Sequence, residues 1–215
     1  MFYEPKARDR TLLPHDPFKA LVVPRPIGWV STMNRDGAVN LAPYSYFNAF
    51  AGRPPIVGFS SDGLRDSATF AIETREFVWN MATYDLRFEM NATSTPLPRG
   101  ESEFSFACLE TAKSRLVRPP RVAASPVSLE CKVCDVITLK NHLGESVENV
   151  LILGEVVGFH INDEFIKDGI VDVAAMRPIA RCGYQDYVVA DSMFQIVRPE
   201  GAEDPTDSAV EKSAA

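Results

Sequence analysis

Apolar and polar positions alternate along this chain mostly with the period of strands, in short runs separated by turn residues. An apolar run over 27–33 turns hydroxylic at Ser31 and Thr32, and Asn34, Asp36 and Gly37 supply turn chemistry. A second run over 38–42 returns and ends at Pro43, which cannot donate to a sheet ladder. This pattern predicts a β-hairpin followed by a cluster of Tyr44, Ser45, Tyr46 and Asn48. Residues 56–59 read as a short buried strand that ends at Ser60, Ser61, Asp62 and Gly63. Helical spacing of Ala68, Ala71 and Ile72 predicts a helix over 65–75, with Asp66 or Ser67 as its N-cap. A strand over 76–82 follows.

Further on, 84–95 reads as a helix ended by Pro96 and Pro98, and 99–120 as irregular chain with a loop or a short helix start at 101–104. The clearest alternation runs over 128–140, with Leu129, Cys131, Val133, Ile137 and Leu139 on one face and mainly polar residues on the other. Such a strand is half buried in an antiparallel sheet. Residues 149–161 form its return strand, with Gly154 and Gly158 on one face. Residues 164–173 read as a loop, and 177–183 and 184–189 close the folded part. Strands with short turns dominate, two or three helices sit between them, and closure into a barrel would remove exposed edges.

Composition adds limits. With 215 residues, 46% hydrophobic and 24% charged, the chain suits one domain with a full core. We expect an N-terminal arm over 1–19, a domain over 20–198 and an acidic tail over 199–215. Of the net charge of −7, residues 200–215 carry −4, which predicts a solvated, disordered tail. There is no basic stripe to suit nucleic acid, no apolar run long enough to cross a membrane and no secretory leader pattern, so the expected location is the cytoplasm. Cys131 and Cys134 sit three apart on a strand and face opposite ways, so free buried thiols are expected and no metal site.

The chemistry-bearing residues allow two readings each. Ser60 and Ser61 end a strand, and Arg65 and Ser67 begin a helix whose unpaired N–H groups suit a phosphate. The alternative makes Ser67 a helix cap and Arg65 a solvated charge. Trp29 is either core or an aromatic wall for a planar ligand. Ser31, Thr32, Ser45 and Asn48 either contact a ligand or satisfy local backbone. His160 is a core or edge histidine unless a redox ring lies near the strand end.

Taken together, the segments RPIGWVST, NLAPYSYFN, PPIVGFSS, GLRDSATFAIETREFVWNM, GEVVGFH and RPIARCGYQDY resemble the flavin reductase-like family of FMN-binding split barrels. They occur in the family's order across about residues 20–190. The resemblance implies a Greek-key split β-barrel with helical insertions, a homodimer, and FMN or FAD reduced by NADH or NADPH. It puts Trp29, Val30, Ser31 and Thr32 along the flavin ring and ribityl chain. It puts Ser45, Tyr46, Phe47 and Asn48 at the pyrimidine side, Ser60, Arg65 and Ser67 at the phosphate, and His160 at the nicotinamide as a catalytic candidate. The family often has Lys-Asp-Thr where this chain has Arg65-Asp66-Ser67, which keeps a cation and a hydroxyl but changes the geometry. The function implied is an NAD(P)H:flavin oxidoreductase, with a monooxygenase as a candidate recipient of reduced flavin. The alternatives are an FMN electron carrier without nicotinamide activity and a non-enzymatic flavin-binding protein.

Overall fold

The computed structural model describes residues 1–98, 101–197 and 199. The acidic stretch from 200 onward, read above as a solvated tail, lies outside the described residues. The chain builds one seven-stranded antiparallel sheet from β1 (Gly28–Met33), β2 (Val39–Tyr44), β3 (Phe47–Gly52), β4 (Pro55–Asp62), β5 (Glu76–Asn80), β6 (Val127–Lys140) and β7 (Ser146–Ile161). Its spatial order is β2-β1-β5-β6-β7-β4-β3. A smaller sheet joins Arg25–Pro26 to β8 (Ile179–Gly183) and β9 (Asp186–Val189). Three helices bear on the argument: α1 (Asp66–Thr74), α2 (Arg87–Ala92) and α3 (Glu103–Phe106).

The large sheet curls on itself. Val30 from β1 and Val57 and Phe59 from β4 stand four places apart in strand order, yet share one buried cluster with Phe77, Cys131 and Ile152. Ala68 and Ala71 of α1 join that cluster, so the helix packs on the barrel interior. The other face of β1 enters a second cluster, where Trp29 meets Leu41, Met90, Phe104, Val122 and Ile179. Successive residues of a strand point to opposite faces, and here both faces are covered. This is a split β-barrel, as the sequence implied.

The opening hairpin forms in register, from Gly28 opposite Tyr44 to Met33 opposite Val39. Its turn is held by Asn34, one of the turn residues named from the sequence, whose side chain accepts from the Ala38 N–H at 2.8 Å. Pro43 does not end β2, because β2 is an edge strand and a missing N–H is tolerated there. The strand β3 went unrecognised in the sequence: Ala49 to Gly52 has no alternation and is exposed, and only pairing with β4 fixes it. The helix expected over 84–95 shortens to α2, and of the loop or short helix start read at 101–104 the helix forms, as α3.

Along β6 the alternation misleads in two places. Glu130, on its polar face, is fully buried, while Ile137, on its apolar face, is exposed. Register shifts between Leu153 and Gly154 and between Val156 and Gly158 of β7 break the simple period. Cys131 and Cys134 do face apart, but Cys134 and Cys108 are exposed, so only Cys131 is the buried thiol expected. Burial pushes the Cys131 thiol well up, so it stays protonated.

Gly154 is where β7 passes the buried Phe77 ring. A Cβ there would meet Phe77 Cε1 at 2.3 Å and Cys131 Cβ at 3.0 Å, and Phe77 has no solvent side to retreat to. Gly154→Ala is therefore expected to destabilise the fold by about 1–3 kcal/mol through overpacking. Chemical denaturation reads this directly, and an unchanged midpoint would show that the barrel interior has slack at this point.

Candidate functional site

The β4-to-α1 turn has the residues of an anion site. Ser61 donates to the Gly63 carbonyl at 2.8 Å, which bends the chain out of the sheet. Arg65 occupies the N-cap position of α1, and no side chain caps that end. The expectation of an Asp66 or Ser67 cap is thus corrected, since the helix starts at Asp66 itself. An uncapped first turn leaves backbone N–H groups for another acceptor. Arg65 is tied only loosely, with Nε donating to the Asp62 carbonyl at 3.1 Å and the guanidinium 4.0 Å from the Asp62 carboxylate.

This turn opens on a cleft of about 740 Å³. Ser60, Arg65 and Ser67 lie at one end and Tyr44, Ser45 and Tyr46 along one wall. The segment after α2 adds Thr93, Ser94, Thr95, Pro96 and Leu97 to the lining. The Ser60 N–H donates to the Tyr46 carbonyl at 2.8 Å, which fixes the Ser45–Tyr46 turn against β4. Tyr44 packs on Phe59 with centroids 4.8 Å apart, and burial raises its phenol pKa against the opposing hydrogen bonds of Ser67 and Ser61.

A polar network joins the site to the barrel. Ser67, buried, donates to Asn40 Oδ1; Asn40 donates to Glu103 at 2.8 Å; and the Leu41 N–H donates to the other Glu103 oxygen at 2.9 Å. Burial raises the Glu103 pKa, opposed by the Leu41 N–H, its own N–H and Asn40, while Asp66 raises it further. The Ser67 hydroxyl proton is thus committed to Asn40 rather than directed into the cleft.

Five expected site residues therefore converge on the cleft: Ser45, Tyr46, Ser60, Arg65 and Ser67. The others do not line it. Trp29, Val30, Ser31 and Thr32 are fully buried, because both faces of β1 are covered. Ser31 donates to the Pro120 carbonyl at 2.6 Å, and Trp29 Nε1 donates to Thr93 Oγ1 at 2.9 Å. Trp29 thus bears on the cleft through Thr93 rather than as its aromatic wall. Phe47 stacks on Trp79 and covers Gly28, and Asn48 is exposed with its side chain accepting from the Ala49 N–H. His160 sits on β7 with Nε2 2.5 Å from Glu130, outside the cleft lining.

Sequence reasoning missed Lys19, Asn40, Glu103 and the hydroxyl run Thr93, Ser94, Thr95. The run was visible beside Pro96, where it read simply as a helix end. Asn40 and Glu103 are brought together by the fold across 63 positions, which no local pattern announces.

The volume is in the ordinary range of small-ligand sites, about 300–1,000 Å³. An anionic terminus suits the α1 end, and an aromatic, polar-edged body suits the Tyr44–Tyr46 wall. The carboxylates of Asp62 and Asp66 share that end, so a phosphate there depends on Arg65 and the helix N–H groups to outweigh them.

Comparison with known proteins decides the family. The flavin reductase-like domain profile matches residues 20–174. The chain belongs to the flavin reductase-like family. An uncharacterized protein of Halalkalibacterium halodurans is 37% identical over 183 residues, covering 83% of this chain and 87% of that one. The crystal structure of nitrilotriacetate monooxygenase component B from Bacillus cereus superposes with a TM-score of 0.82 at 28% identity, covering 91% of this chain and 98% of the other. A split barrel domain from Shewanella frigidimarina gives a TM-score of 0.80 at 20% identity over 93% and 100% of the two chains, a likeness of fold. Membership places this flavin reductase-like chain among flavin-binding oxidoreductases. No helix among the described residues is long and apolar enough to cross a membrane.

Proposed function

We propose that this chain, as a homodimer, binds FMN in the cleft between the Ser45–Tyr46 turn and the N-terminus of α1, and reduces it with NADH or NADPH. One observation carries the reading: an uncapped helix start, Arg65 and a pair of tyrosines open into a single cleft. Arg65, the Ser60 hydroxyl and the first N–H groups of α1 hold the phosphate, where a helix N-terminus favours negative charge. Tyr44 and Tyr46 border the ring, and Ser45 with its neighbouring backbone donates to the polar edge on which negative charge develops. Thr93, held by Trp29 and in turn donating to the Met90 carbonyl at 2.7 Å, keeps the segment after α2 in place.

The bound flavin supplies the hydride-accepting chemistry. This chain's part is to orient two planar partners and exclude water, and positioning of that kind accounts for a large share of a transfer rate. The likeness to the component B of a nitrilotriacetate monooxygenase supports delivery of reduced flavin to an oxygenase partner.

Anaerobic titration of the FMN-loaded protein with NADH and with NADPH, followed by loss of oxidised-flavin absorbance, tests the proposal. Bleaching with one donor or both within the mixing time of turnover is the expected result. Holo-protein that stays oxidised with both donors replaces the reductase with an electron carrier fed by another protein.

A further inference from the structure

A second cleft, of about 330 Å³, adjoins the first and shares Lys19, Pro43, Ser45 and Ser94 with it. Its own lining includes Arg25, Arg181 and Tyr187. It lies between the N-terminal helical turn Phe18–Leu21 and the small sheet, which meet so closely that a Cβ on Gly183 would come 2.5 Å from Ala20 Cα.

Arg25 is the feature that needs explaining. It is 7% exposed, yet among the described residues no carboxylate stands at ion-pair distance from it. One terminal nitrogen donates to the carbonyls of Lys19 and Val22, and Nε is buried with no hydrogen-bond partner. A guanidinium stays charged in a protein, and buried charges are ordinarily paired. The surroundings add to the positive potential. Lys19 and Arg25 lie 5.9 and 6.0 Å from the Tyr46 ring, and Arg181 donates to the Tyr187 hydroxyl and the Tyr184 carbonyl. Asp16 is the acid of this lining; it accepts from the Phe18 N–H at 2.9 Å and stands 3.7 Å from Arg8.

We propose that this second cleft is an oxyanion subsite for the second substrate, with Arg25 as the counter-charge and Lys19 and Arg181 at its rim. A substrate whose phosphate or carboxylate sits on Arg25 extends past Ser45, one of the residues common to both clefts, toward the proposed flavin position. The assignment to a second substrate rests on the flavin reading of the first cleft; the anion site itself does not. The chemistry shared by its two sources is a planar group joined to an oxyanion, as in a nicotinamide dinucleotide or an aromatic acid acceptor.

Calorimetric titration of the protein, with and without FMN, using ADP-ribose in one arm and benzoate in the other, tests the subsite. Binding of either probe, lost by about tenfold or more in Arg25→Met and weakened in Lys19→Glu, is the expected result, since each variant removes a charge-assisted contact. ADP-ribose binding assigns the subsite to the dinucleotide, and benzoate binding assigns it to an acid acceptor. Because Arg25 also braces the N-terminal turn, thermal melting accompanies each variant; should Arg25→Met fail to fold, Lys19→Glu and Arg181→Gln carry the test. No binding of either probe to wild type, or unchanged binding in the folded variants, overturns the proposal. Failure of FMN to bind while the anion response persists overturns the flavin reading and leaves the subsite standing.

Discussion

Arg65→Ala is expected to weaken FMN binding roughly 10- to 150-fold, equivalent to about 1.5–3 kcal/mol for a hydrogen bond to a charged group. The size follows from what surrounds the residue. Its side chain is 69% exposed and holds Asp62 at only 4.0 Å, so little is lost from the free protein when it is removed. Nearly all of the change should then appear in binding. Removal also leaves the Asp62 carboxylate beside the phosphate without its nearby guanidinium, which pushes the effect toward the upper end. Arg65→Lys should recover part of the loss, as a point charge without the two-pronged geometry. Fluorescence titration of FMN gives both constants, and an Arg65→Ala constant equal to wild type would remove the phosphate from this turn.

The second large effect concerns stability rather than binding. Glu130 is fully buried and accepts from the backbone N–H groups of Arg115 at 2.7 Å, Leu116 at 2.6 Å and Val117 at 3.0 Å, as well as facing the His160 ring. One carboxylate thereby ties the 115–117 loop to β6 and β7. Glu130→Ala strands those donors and is expected to cost about 3–5 kcal/mol, as for breaking a buried charged contact. For a chain of this length that corresponds to a fall in Tm of roughly 6–20 °C.

Burial by itself would raise the Glu130 pKa; the Arg115 N–H, the His160 ring and the Leu116 and Val117 N–H groups outweigh it and hold the carboxyl below its ordinary value. The sign of the pH effect follows. Folding favours the ionised form, so this contribution is complete above the unfolded-state carboxyl pKa. It is lost as pH falls through the lower folded-state value. Glu130→Gln, which keeps the shape and one acceptor, should flatten that acid limb of the stability curve. A wild-type curve that parallels the Gln variant through the acid range would show that the carboxylate's charge is not what holds the loop.

How much of this was legible in the residues depends on whether a signal was local. The β1–β2 hairpin, α1 and the β6–β7 pair all announced themselves by periodicity and turn residues, and the Ser60-to-Ser67 turn showed the strand-to-helix position of its hydroxyls and cation while leaving open whether they cap the helix or bind an anion. The burial of Trp29 and Ser31 did not, because it depends on Thr93 and the Pro120 carbonyl covering the outer face of β1. Polar residues in a strand read as a ligand-facing edge; here Ser31 is satisfied by a distant loop carbonyl, and the Thr32 hydroxyl is buried with no hydrogen-bond partner. Glu130 misled in the same way, since an acid on the polar face of an alternating strand gives no hint of the three N–H groups waiting for it. Lys19 and Arg25 reach the clefts only because the N-terminal turn packs on β8.

The bonds that shape the first cleft span long stretches of chain: Trp29 to Thr93 across 64 positions, and Glu103 to Asn40 and Leu41 across 63 and 62. Contacts of that separation are the slow ones to form, because the intervening loop must close before they stabilise anything. The cleft therefore needs parts of the chain far apart in sequence, and a nascent chain released before Glu103 has been synthesised lacks the contacts to Asn40 and Leu41 that shape it. Ligand capture marks the completed barrel, and the mass-action gain from a bound cofactor falls on the finished fold alone.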